Sequence, residues 1–187
     1  APSSAESAKH EYVNPEGQVD TAAGTLPTGF LAIDLALGMK ADLFDPDSRP
    51  SGGTAFKRLR LDPSASTWEH PQFGNGYIGA ASPKVNGSDA RVIVAANGGA
   101  DLIYVPDGNA DTVRRVVDLL LTFDYAGAVF VNDKYPNVAG TLPLSAINLI
   151  GATKVPQPTI VVAFKTFYLD NADLQTAIQV SDTSAQE

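Results

Sequence analysis

Apolar residues recur at helical spacing after Pro27, Thr28 and Gly29, where Phe30, Ile33 and Leu37, with their neighbours Leu31 and Leu35, predict a short helix ended by Gly38 and Met39. A second helix is predicted from about Ala110 to Phe123. It sets Val113, Val116, Val117, Leu120 and Leu121 on one face against Arg114, Arg115 and Asp118 on the other. Asn109 is its expected N-cap, and Asp111 complements the helix dipole in the first turn. Apolar runs at Val92–Ala96 and Leu102–Val105 read as strands joined by a tight Asn97-Gly98-Gly99 hairpin turn. Ala128–Val131, Thr159–Phe167 and Thr176–Val180 supply three more strands. Hairpin, helix and further strands in this order predict an α+β fold, a mixed and mostly antiparallel sheet with a helix packed on one face.

The first half of the chain is less regular. Residues 1–26 are rich in Ala, Ser, Gly and Pro, and they predict an irregular leader. Residues 27–187 then form the α+β domain, with 41–90 loop-rich and 91–183 its regular core. Turn signals crowd 41–90: Asp45-Pro46-Asp47, Pro50 to Gly53, Asp62-Pro63, Gly74-Asn75-Gly76 and Asn86-Gly87. One alternating strand is expected there, at about Ala55–Leu61.

Composition narrows the function classes. A chain of 187 residues suits one domain, and 44% hydrophobic content is enough for one core. The 13 Lys and Arg are scattered and outnumbered by 21 Asp and Glu, giving a net charge of -8, so nucleic acid is not an expected partner. Lys57-Arg58-Leu59-Arg60 is too short to reverse that balance and fits the exposed side of a strand. No apolar run reaches the roughly 20 residues of a membrane span, so no membrane partner is expected either. The absence of cysteine excludes disulfides, zinc–thiolate sites and thiol catalysis. Ala1–Ala8 has neither the basic nor the apolar stretch of a signal peptide.

Five segments in order, Leu26–Ala36, Leu43–Asp47, Gly74–Gly76, Asn97–Pro106 and Gly140–Leu149, resemble the alkaline phosphatase superfamily. The similarity is to bacterial members related to nucleotide pyrophosphatases and type I phosphodiesterases, and it spans about residues 25–183. It implies a parent enzyme, periplasmic or secreted, that transfers phosphoryl or sulfuryl groups at two divalent metals, zinc being the favoured one. Two such cations neutralise the phosphoryl oxygens and activate a Ser or Thr nucleophile. The family places most metal ligands, including an Asp-His pair, before the matched region and a last His in a glycine-rich loop after it. Val180–Thr183 resembles the approach to that loop. The only histidines are His10 and His70, so no catalytic, cofactor-binding or metal-binding residue carries over to this sequence.

Other candidates favour structural readings. Asp45 and Asp47 flank a proline and read as a solvent-exposed turn, because a calcium site recruits six or more oxygens. Asn97, Gly98 and Gly99 could cradle an anion, but a hairpin turn already explains them. Ser145 lacks both a nucleophile elbow and a histidine base, and fits an N-cap or turn. Phe164, Phe167 and Tyr168 could form a stacking platform, yet strand alternation puts Phe164 and Phe167 on opposite faces. Trp68–Phe73 resembles His-Pro-Gln streptavidin ligands; it reads as a native loop, with an engineered insertion as the alternative and His70 as a solvated loop residue.

The expectation is therefore a piece of an enzyme, a non-catalytic accessory or cap domain whose partner is the remainder of the parent hydrolase. The alternative is a protein- or ligand-binding module with no catalytic role, acting through a sheet edge or the loops at 63–89. A fragment with no independent role is the third reading.

Overall fold

The computed structural model describes residues 6–14, 17–49, 55–79, 90–152, 154–168 and 177–181. The strands are β1 (Glu11–Val13), β2 (Val19–Thr21), β3 (Asp42–Asp45), β4 (Lys57–Arg58), β5 (Thr67–Glu69), β6 (Gly76–Gly79), β7 (Ala90–Ala95), β8 (Ala100–Tyr104), β9 (Ala126–Val131), β10 (Leu142–Pro143), β11 (Ile160–Phe164), β12 (Thr166–Tyr168) and β13 (Ala177–Gln179). The helices are α1 (Phe30–Met39) and α2 (Ala110–Leu120), with 3-10 turns at Ser7–Lys9 and Leu144–Ile147.

The main sheet has eight strands in the order β10-β9-β11-β8-β7-β6-β3-β4, every pair antiparallel except β10 with β9. The α+β fold with helices on a mixed sheet is thus the observed one. Both β8 and β9 run antiparallel to β11, so β8, α2 and β9 form a parallel crossover with β11 inserted in the middle.

Helix α2 is amphipathic as its spacing predicts. Val113, Val116, Val117 and Leu120 are buried, and the Asn109 side chain accepts the Thr112 N–H at 2.9 Å. The helix ends three residues earlier than expected, at Leu120. Leu121 therefore leaves the apolar face and is 49% exposed.

Helix α1 has no polar face because it is enclosed on all sides: every residue from Phe30 to Ala36 is buried. It lies so close to β6 that a side chain at Gly76 would meet the Ala32 Cβ at 2.6 Å. Gly76, expected in a turn, opens β6 instead because only glycine admits the helix there.

Several expectations for the first half are corrected. The leader is not irregular where described: β1 pairs with β2 and, in parallel, with β5, and Tyr12 is fully buried. The described residues of 41–79 hold four short strands rather than one, and the strand expected over 55–61 is only Lys57–Arg58. The turns expected at Pro50–Gly53 and Asn86-Gly87 lie outside the described residues. A single apolar cluster includes Ala8, Tyr12, Trp68, Ile78, Val105 and Phe164, so leader and core share one interior. The long strand expected over Thr159–Phe167 is broken at Lys165, whose N–H bonds Tyr125 O at 2.9 Å, before β12 turns to pair with β13.

The sheet face away from the helices is also apolar. Ile93 stands opposite Tyr104 and Tyr77, and Val161 opposite Leu102 and Phe130. Val161 is buried, whereas Ile93, Leu102, Tyr104 and Phe130 are half-buried.

Candidate functional site

A buried polar centre begins with a conflict in the sequence: Asp34 sits in the middle of the enclosed helix α1, where a carboxylate cannot reach water. Three donors converge on it. The Ser7 N–H reaches Oδ1 at 2.8 Å, and the hydroxyls of Ser7 and Tyr125 reach Oδ2 at 3.0 Å each. The Tyr12 hydroxyl donates in turn to the Ser7 carbonyl at 2.8 Å. Burial dominates over these hydrogen bonds and pushes the Asp34 carboxyl up to about 6. The cluster ties the start of the chain to α1 and to the turn before β9, a clamp closed to substrate. A lone acid inside an unbroken apolar run was the signal that marks it.

Asp45 is not in solvent as its Asp-Pro-Asp context suggested. It is buried and accepts the Asp47 N–H and the Gln72 N–H, each at 2.9 Å, joining the end of β3 to the 70–75 loop. Asp47 is exposed and takes Asn75 Nδ2 at 2.8 Å, so the two carboxylates serve different bonds.

The Trp68–Phe73 segment starts in β5 and runs on as a loop that is packed into the fold. Trp68 lies in β5, is buried, stacks on His10 at 3.6 Å between ring centroids and donates its indole N–H to Asp62 O at 2.8 Å. His70 is not a solvated residue: Nε2 lies 3.1 Å from Asp20 Oδ2, Nδ1 lies 2.9 Å from Pro71 O, and its side chain is only 10% exposed.

Ser145 is inside a 3-10 turn, not at an N-cap. Its hydroxyl donates to Asp133 Oδ1 at 2.5 Å and its N–H to Oδ2 at 3.1 Å, bonds that hold the Asp133 carboxyl below its ordinary value. The Asn97–Gly99 segment is a hairpin turn, and the Asn97 N–H is already taken by Asp101 Oδ1 at 3.0 Å. Phe164 packs with Phe30 and Tyr125 in the core, whereas Phe167 is 50% exposed. The Tyr168 side chain lies outside the described residues. Among the described residues, no group of three or more His, Asp or Glu is placed to hold a metal ion. No helix among them is long and apolar enough to cross a membrane.

Two surface features stand out among the described residues. The first is an apolar strip at the β10 edge of the sheet, where Leu142, Ile147, Leu149, Ile150 and Val155 are 41–70% exposed. It meets the sheet at Leu142, which pairs with the half-buried Phe130. The second is a cleft of about 550 Å³ between the end of α1 and the β3–β4 edge.

Comparison with protein-family models, with curated proteins and with solved structures gives no match.

Proposed function

We propose that this chain is a non-catalytic accessory or cap domain of a metal-dependent phosphoric ester hydrolase similar to the alkaline phosphatase superfamily. The observation that carries the reading is the apolar strip. Scattered exposed apolar residues are ordinary, but five large ones crowded within residues 142–155, next to the β10 edge of the sheet, are a concentration of the kind that a partner covers. In this reading the partner is the remainder of the hydrolase, which supplies the ligands for two divalent metals, zinc being favoured. The fold's own use of Asp34, Asp45, His70 and Ser145 supports a structural role for this chain rather than a chemical one. As a cap it would act on selectivity, contacting the part of the substrate remote from phosphorus.

The test combines activity with the strip. The isolated chain with added zinc is expected to release no p-nitrophenol from bis-p-nitrophenyl phosphate above the zinc blank; sustained turnover that a chelator abolishes overturns the reading. Leu142→Glu with Ile150→Glu is expected to change the stability of the isolated chain by less than about 1 kcal/mol, since both side chains already face water. The same pair in the full hydrolase is expected to weaken domain docking at least tenfold. A loss of several kcal/mol in the isolated chain would instead assign the strip to its own core. A free-standing protein-binding module would display the same strip, and it differs in that no hydrolase accompanies it in the same polypeptide.

A further inference from the structure

We propose that the cleft between the C-terminal end of α1 and the β3–β4 edge binds a small amphiphilic anion, a phosphate or carboxylate carried on an aromatic or aliphatic group. The proposal is independent of the hydrolase reading. Its apolar half comes from Leu37 and Leu61, both only half-buried, above the buried Leu43 and Leu59. Its charged half comes from Lys40, Arg58 and Arg60, all exposed at the same cleft.

The local charge favours an anion in spite of the net -8 of the chain. Three cations line the cleft against two acids: Asp42 pairs with Arg58 Nη2 at 2.6 Å, and Asp62 keeps its charge while its oxygen is turned to the Ser64 N–H and hydroxyl at 2.8 and 2.7 Å. Arg60 lies 3.7 Å from Glu69, which also takes Lys57 at 3.2 Å. Among the described residues, Lys40 makes no ion pair. Each guanidinium carries five N–H donors, so Arg58 and Arg60 retain donors beyond these single contacts. Of the terminal carbonyls of α1, Ala36 O and Leu37 O are not free acceptors that would oppose an anion, because they take the Ala41 and Lys40 N–H groups at 3.0 Å.

Recognition of this kind needs both halves at once. A phosphate alone would meet exposed, hydrated cations, where ion pairs are weak, and an uncharged ring alone would gain only the leucine surface. Phenyl phosphate, inorganic phosphate and benzyl alcohol separate these contributions. Titrating each into the isotopically labelled chain and following backbone amide resonances, we expect phenyl phosphate to saturate shifts at Lys40, Arg58 and Leu61, at least about tenfold tighter than either of the others. Lys40→Gln and Arg58→Gln are each expected to weaken that binding about five- to tenfold, the loss of one charge-assisted hydrogen bond. Arg114→Gln, on the exposed side of α2, is expected to leave it unchanged. Equal affinity for inorganic phosphate, shifts centred elsewhere, or binding indifferent to both cleft substitutions would overturn the proposal.

Discussion

Asp34→Ala is expected to lower stability by about 3–5 kcal/mol at pH 5, since it strands the Ser7 N–H and hydroxyl and the Tyr125 hydroxyl in the interior. Asp34→Asn separates that loss from the effect of charge. The amide can accept the Ser7 N–H through oxygen and donate to both hydroxyls through nitrogen, so the clamp survives. What changes is the pH dependence. Burial raises the carboxyl from 3.8 to about 6, so the folded chain holds its proton more tightly than the unfolded chain across that interval. Stability from this group is therefore full below 3.8 and falls as pH rises through about 6, by at most about 3 kcal/mol. Urea unfolding at pH 4 and pH 8 is expected to show this loss in the parent and a flatter profile in Asp34→Asn. Parallel profiles for the two would remove Asp34 from the account.

Trp68→Ala is expected to cost about 3–5 kcal/mol, through the cavity left by a large buried ring. Trp68→Phe keeps most of the ring volume and is expected to recover more than half of that loss. The effect measures how far the first half of the chain belongs to the core. Trp68 joins β5 to β1 and packs against His10 and Tyr12, which lie more than 50 residues away in sequence. A cost below about 1 kcal/mol for the alanine variant would mean that the small sheet β2-β1-β5 is an appendage after all.

The contrast between the two halves explains what could be read from the sequence. Helix α2 and the β7-β8 hairpin carry local signals: an apolar stripe at 3.6 spacing, an Asn cap and an Asn-Gly turn, each complete within a dozen residues. Strand β1 carries none, because three residues show no period and its parallel partner β5 lies far along the chain. Strand β3 hides for a different reason. Leu43 and Phe44 point to opposite faces of the sheet and both are buried, so the alternation that marks a half-exposed strand is lost. Gly76 misled because a glycine beside Gly74 and Asn75 suggests a turn, whereas its role is to let Ala32 approach. Of the surface features, the apolar strip was not legible: Gly140–Leu149 stood out only as part of the resemblance, and exposure of its apolar residues depends on the fold. Lys57–Arg60 was recognisable as an exposed basic run, but its union with Lys40 depends on the meeting of α1 with β4.

The accessory-domain reading turns on what adjoins this chain in its own polypeptide. Reading the coding frame on either side of the codons for Ala1 and Glu187 tests it most directly. The account predicts an open frame in both directions, with an Asp-His pair and further acidic and histidine ligands upstream and a histidine in a glycine-rich loop downstream. A frame with no such ligands on either side would contradict it and leave the binding module in its place.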